Sequence, residues 1–175
     1  MGTPKKKQSQ RKTIRKPGTA RAKNAGNAAD NAHENQWQRC LPLSAATLSA
    51  VEKQMGVSLP TDLKALVLSC NGGKPAKTYF VNDRIEVEIG SLLPIRPPAS
   101  HKGSSFEHAR ERLVKAGLPS TLLPFAYDNG NAGIFCLDVK SGAVVYWVHD
   151  DPDDPLKYVT ASLTDFLSKL SVPPY

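Results

Sequence analysis

The sequence lacks what a membrane protein or a secreted scaffold would need. No apolar run approaches the roughly 18 residues of a membrane-spanning helix. The basic N-terminus also lacks the apolar stretch, about 7–15 residues long, that marks a secretory signal. Ile14 is the only large aliphatic side chain among the first thirty residues, a poor match to a mitochondrial transit peptide. The cytoplasm is therefore the expected compartment. Only three cysteines occur, Cys40, Cys70 and Cys136, far apart and each beside apolar neighbours. No Cys-x-x-Cys pair offers ligands to zinc, so buried free thiols in a reducing compartment are expected.

Catalytic signatures are equally scarce. There is no Gly-x-Ser-x-Gly elbow, Walker-type loop or dinucleotide fingerprint. His101, His108 and His149 are scattered, and nothing in the sequence unites Cys70, His149 and Asp150 as nucleophile, base and orienting acid. Cys70 reads as part of a helix's apolar face. No catalytic residue, cofactor or metal is expected, and the chain is read as a non-enzyme.

What is present suits one folded domain and a tail. The chain has 175 residues, 40% of them apolar, enough for a single core. Its net charge of +7 is unevenly distributed. Residues 1–35 hold nine Lys or Arg against Asp30 and Glu34, whereas the remainder holds 14 basic and 14 acidic residues. Residues 1–36 read as a basic disordered tail, too poor in large apolar side chains to offset the entropy cost of ordering. Residues 37–175 read as the domain. A nucleic-acid role would rest on residues 5–23 alone. No aromatic residue interleaves with those charges to stack on bases, so a solvated leader is the plainer reading.

Within the domain, hydrophobic periodicity alternates between helix and strand. Ser44 can cap a helix carrying Leu48, Val51 and Met55, with Gly56 as its stop. A second helix follows Pro60, with Leu63, Leu66, Val67 and Cys70 on one face, and ends at Asn71-Gly72-Gly73. Tyr79–Val81 and Ile85–Ile89 alternate as strands, with Asn82-Asp83 as the turn. After a Pro-rich loop, Ser104 or Ser105 can cap a third helix with Phe106, Ala109, Leu113 and Val114 as its stripe. Strands at 122–126, 134–137 and 144–148 follow, and a last helix starts at Ser162 with Leu163, Phe166, Leu167 and Leu170 inward. The order α-α-β-β-α-β-β-β-α, with short turns between strands, predicts an α+β domain. Its sheet is largely antiparallel, with helices at the N- and C-terminal ends.

Several segments in order carry a family resemblance. Met55-Gly56-Val57-Ser58-Leu59-Pro60-Thr61-Asp62-Leu63-Lys64 followed by Asn71-Gly72-Gly73 resembles the N-terminal signature of the SUKH superfamily. That superfamily takes in the fungal Smi/Knr cell-wall regulators and many bacterial immunity proteins. Ile89–Leu93, Leu123–Asp128, which includes Phe125, Asp138–Tyr146 and Ala161–Leu167 continue the match over about residues 40–170. The resemblance implies a single non-catalytic α+β domain that binds another protein. In bacteria that partner is commonly a cognate polymorphic toxin of nuclease or deaminase type. The compact chain, with no long low-complexity C-terminal extension, reads as nearer the bacterial immunity type; a Smi/Knr-type regulatory or scaffold module is the alternative. The tail has no counterpart in the family pattern.

The most suggestive surface feature is Asp150, Asp151, Asp153 and Asp154, separated by Pro152 and followed by Pro155. Prolines stiffen the run, and a fixed negative projection could steer a cationic partner. A soluble turn and a calcium site are the competing readings, although the carboxylate spacing fits no familiar calcium loop. Asp128-Asn129-Gly130-Asn131 likewise departs from an EF-hand and reads as a turn. Just before the acidic run stand Tyr146, Trp147 and His149. Tyr and Trp make good interface anchors. Strand alternation predicts that one of Tyr146 and Trp147 is core and the other exposed.

Overall fold

A computed structural model describes residues 36–175. The expected tail, apart from Gln36, and the segment 5–23 lie outside the described residues. The elements in chain order are β1 (Trp37–Gln38), α1 (Ala45–Met55), α2 (Thr61–Ser69), β2 (Lys74–Pro75), β3 (Tyr79–Val81), β4 (Glu86–Leu92), α3 (Phe106–Lys115), β5 (Leu122–Asp128), β6 (Gly133–Asp138), β7 (Val144–Val148), β8 (Leu156–Thr160) and α4 (Leu163–Ser168). The α+β arrangement expected from the pattern is the one observed.

The helix boundaries follow the local chemistry. The Ser44 hydroxyl accepts from the Thr47 amide at 3.0 Å, and Gly56 leaves α1 in the left-handed conformation at φ 61°. Ser105 and Ser162 cap α3 and α4 in the same way, each satisfying a backbone donor that the first turn leaves unpaired. Leu59, buried, donates its amide to Glu52 Oε1 at 2.6 Å, and Lys64 of α2 lies 2.9 Å from the same oxygen. One carboxylate thus joins the end of α1 to the start of α2 around Pro60.

Strands β3 to β8 form one sheet in chain order, every neighbouring pair antiparallel. The sheet curls. The Asn82 amide after β3 donates to the carbonyls of Tyr158 and Val159 on β8, and Ser171 pairs with Tyr79, which covers part of the β3 edge. Such contacts protect strand edges that would otherwise pair with other chains. Phe166 of α4 fills the concavity, 5.3 Å from the ring of Phe80, 5.7 Å from Phe125 and 5.1 Å from Phe135. Truncating a fully buried Phe of this kind typically costs about 3–5 kcal/mol.

The structure departs from the pattern at several places. Strand β8 and the ribbon β1–β2 go beyond the expected order, and β4 and β5 run on to Leu92 and Asp128. Strand β4 continues through Gly90 with a shift of register between Ile89 and Ser91, where a side chain would meet the Asp128 carbonyl at 2.7 Å. Val114 is exposed and off the α3 stripe. Tyr146 and Trp147 are both buried, at 6% and 7% exposure. They point to opposite faces of β7, and both faces are covered. The Tyr146 ring packs 4.8 Å from Phe135, and the Arg112 guanidinium of α3 lies 5.9 Å over the Trp147 ring.

The cysteines differ as well. Cys40 and Cys70 form a disulfide with Cα atoms 4.8 Å apart, and Cys136 alone is a buried free thiol among the described residues. Burial pushes the Cys136 thiol pKa up. The expectation of free thiols failed at the pair because tertiary packing, not sequence proximity, brings residues 30 apart together. Here the Asn71-Gly72-Gly73 turn folds back. The buried Asn71 amide donates to the Ile95 carbonyl at 3.0 Å and accepts from the Ile95 amide at 2.7 Å. Gly72, at φ 69°, lies against Pro94, and any side chain at Gly73 would strike Cys70 Sγ at 2.1 Å. The motif is therefore a packing device.

Candidate functional site

The acidic run forms the loop between β7 and β8, and it is partly self-neutralised. Lys157 of β8 reaches back to Asp151 Oδ2 at 2.8 Å and Asp154 Oδ2 at 3.4 Å, and the Asp154 amide donates to Asp151 Oδ1. The Lys157 hydrogen bond holds the Asp151 carboxyl below the ordinary carboxylate range, and Asp151 in turn raises the Lys157 ammonium. Asp150 and Asp153 are exposed, the Asp150 side chain at 83%. His149 Nε2 lies 3.2 Å from Asp150, and its Nδ1 lies 2.7 Å from the Ala132 carbonyl. The loop is thus braced at both ends, with Asp150, Asp153 and Asp154 exposed and Asp151 half-buried. Trp147 is under Arg112, 6.3 Å from the His149 ring, and supports the loop from below.

The turn that His149 grips is itself built around a buried acid. Asp128 accepts from the amides of Ala132 at 3.0 Å and Gly133 at 2.9 Å and from the Tyr146 hydroxyl. Burial, and then Asp128, push the Tyr146 hydroxyl pKa up. Gly133 permits the approach, since a Cβ there would lie 2.5 Å from Tyr146 Cζ. The expected turn is present, and its carboxylate serves the fold.

The same turn borders a groove of about 790 Å³ that no sequence motif announces. Its floor is Gly90 and Ser91 of β4 with Tyr127 of β5. The ribbon β1–β2 supplies one wall with Lys74 and the adjoining Arg39; the loop at 101–104 and Arg112 supply the other. Arg112 donates to the Tyr127 hydroxyl at 3.3 Å, which orients it. These cations come from distant segments of a domain whose net charge is zero, so composition could not reveal their convergence. Leu59, Pro60, Asn71, Gly72, Gly73 and Phe125 sit in the framework, not on this surface, save that Gly72 borders the groove.

Among the described residues no helix is long and apolar enough to cross a membrane, and no group of three or more His, Cys, Asp or Glu could hold a metal ion.

Comparison with known proteins places these features in a family. The family model described as the SMI1 / KNR4 family (SUKH-1) matches residues 42–169. No curated protein matches the chain. A solved structure, titled as the crystal structure of a protein from Pseudomonas syringae pv. tomato, is similar at 18% identity and a TM-score of 0.46. That similarity covers 71% of this chain and 86% of that one. The family match spans α1 to α4 and the whole six-stranded sheet. The chain belongs to the SMI1 / KNR4 family (SUKH-1).

Proposed function

We infer that the protein is a non-catalytic binding domain. In this reading it is an immunity protein that neutralises a cognate polymorphic toxin of nuclease or deaminase type by direct contact. Family membership supports a protein-binding role. The observation that carries the finer reading is the braced acidic loop, which holds Asp150 and Asp153 outward while Lys157 fixes its base. A rigid negative projection loses little entropy on docking and accelerates encounter with a cationic surface. A nuclease's phosphate-binding groove is such a surface. The partner patch is therefore Asp150 and Asp153 with His149, and Asp151, Asp154 and Trp147 hold them in place.

A pull-down from the native host with the tagged full-length protein tests this. Recovery of one stoichiometric toxin domain is expected. Asp150→Asn/Asp153→Asn should then weaken that complex, mainly through slower association at low salt. Recovery of a signalling or cell-wall component instead would favour the regulatory or scaffold reading, and unchanged affinity in the double variant would remove the loop from the mechanism.

A further inference from the structure

Residues 36–41 form a strap that is lightly held except by one covalent bond. The strap carries β1, which pairs with β2 in a two-stranded sheet separate from the six-stranded one. Two residue pairs make that ribbon, Trp37 with Pro75 and Gln38 with Lys74. The Ala76 amide donates to the Gln36 carbonyl and the Leu41 amide to the Asn71 carbonyl, each at 2.8 Å. A two-stranded ribbon by itself is marginal in water. Trp37 packs against the core, but no residue of 36–41 is fully buried, and segments with so little burial open most readily. Arg39 stands at φ 59°, a left-handed conformation that costs energy in a residue with a side chain and persists only where the surroundings impose it. The adjacent bond from Cys40 to Cys70 supplies that constraint.

The two sulfurs are placed unequally. Cys40 is exposed, whereas Cys70, at the end of α2, is 2% exposed. The Cys70 side is fixed to the core: the Gly73 carbonyl accepts from the Leu92 amide of β4 at 2.9 Å, and the Asn71 side chain is held by Ile95. Breaking the bond therefore frees the strap and not the turn beneath it. We propose that the Cys40–Cys70 disulfide is a redox-sensitive latch, opened by a dithiol reductant, which releases residues 36–41 while the six-stranded sheet stays folded. A thiolate of the dithiol attacks the exposed Cys40 sulfur, and the Cys70 thiolate departs. The second thiol gives up its proton and attacks the dithiol's own sulfur in the mixed disulfide, closing a ring disulfide and releasing Cys40. The protein disulfide gains two electrons and two protons, and the dithiol loses them. Arg39 and Leu41 line one wall of the groove and leave with the strap. Lys74, Lys102 and Arg112 lie outside the strap and stay. Reduction thus opens the groove on one side and removes one of its cations.

The test uses the full oxidised chain under native conditions, treated with increasing dithiothreitol. Iodoacetamide trapping read by peptide mass counts the free thiols, and hydrogen exchange reports each segment. Cys136, buried in β6, serves as the internal signal for global unfolding. Reduction should expose Cys40 and Cys70 to alkylation and leave Cys136 unlabelled. Exchange at the Leu41 and Ala76 amides should quicken roughly tenfold or more, with β5 to β7 unchanged. Cys40→Ser should show the same fast exchange with and without reductant. Labelling of Cys136 together with the other two would make the bond a staple of the whole domain and overturn the latch. Unchanged exchange at Leu41 and Ala76 after both cysteines are labelled would show that the strap stays shut without it. A bond that dithiothreitol breaks only when the domain is unfolded by urea would overturn the proposal equally.

Discussion

The acidic loop and the basic groove both adjoin the turn at 128–133, yet they are made in different ways. The loop is local. Its four carboxylates lie within residues 150–154 and its brace, Lys157, comes three residues later, so a reader of the sequence finds it at once. The groove is assembled from Arg39, Lys74, Lys102 and Arg112, spread over 74 positions of a domain with no net charge. A charge count per domain reports the sum, whereas a ligand meets the arrangement. Both surfaces lean on the same buried group: Asp128 fixes the turn whose Ala132 carbonyl meets His149 on the loop side and whose Asn131 lines the groove.

That shared support gives the largest expected effect. Asp128→Ala would orphan the buried Tyr146 hydroxyl and Gly133 amide and free the half-buried Ala132 amide, costing about 2–6 kcal/mol in urea unfolding at roughly 1–3 kcal/mol for each of the two buried unpaired groups. Binding through the acidic loop should fall with it. Near-wild-type stability would mean that the turn does not join the two regions. The next effect separates them. Cys40→Ser opens a loop closed over 30 residues, which chain-entropy reasoning values at about 3–4 kcal/mol. At temperatures where the variant stays folded, toxin binding through the acidic loop should be unchanged. The same melting temperature with and without reductant in the wild type would show that the ribbon stands without its disulfide.

A smaller change isolates the loop. Lys157→Met removes the brace on Asp151 and Asp154 while leaving every groove residue in place. A slight drop in melting temperature and faster toxin dissociation are expected; unchanged dissociation would mean that the brace does not position the loop. The smallest effect lies in pH. Because the Asp151 pKa is depressed, its contribution is present above the ordinary carboxylate value of about 3.9 and disappears as pH falls through the lowered value. Lys157 and Tyr146 have raised pKa values, so theirs are present below their ordinary values and disappear as pH rises through the elevated ones. Asp151→Asn should therefore flatten the acid limb of a stability–pH curve and leave the Tyr146 part of the alkaline limb intact. An unchanged acid limb would mean that the Lys157 contact adds nothing to folding.

The helices were legible because their signals are local. A capping Ser, apolar residues three and four apart and a terminal Gly all fall within one segment, and the caps at Ser44, Ser105 and Ser162 formed as the pattern implies. The family segments were legible for a related reason. Gly90 stands where β4 bulges against Asp128, and Asn71-Gly72-Gly73 where a helix end packs on Ile95, Pro94 and Cys70. The glycines record close approaches that a Cβ would block, and Asn71 a side-chain amide that meets both backbone groups of Ile95.

Strand β8 was missed although Leu156–Thr160 holds a Leu, a Tyr and a Val. It follows the acidic loop, and its partner β7 is specified only by the hairpin between them. Val114 was misplaced because one helical stripe can be drawn wider than the face that docks.

By itself, then, the sequence determined the four helices with Ser caps at three of them, five of the strands, the basic segment, the acidic loop and the family. Tertiary structure alone decided that β7 is covered on both faces, that Cys40 meets Cys70, and that four scattered cations share one groove. Periodicity and capping act over a turn or two of chain. Burial of a second sheet face, disulfide pairing and charge convergence depend on contacts between segments tens of residues apart, whose register is set only when the core closes around Phe166.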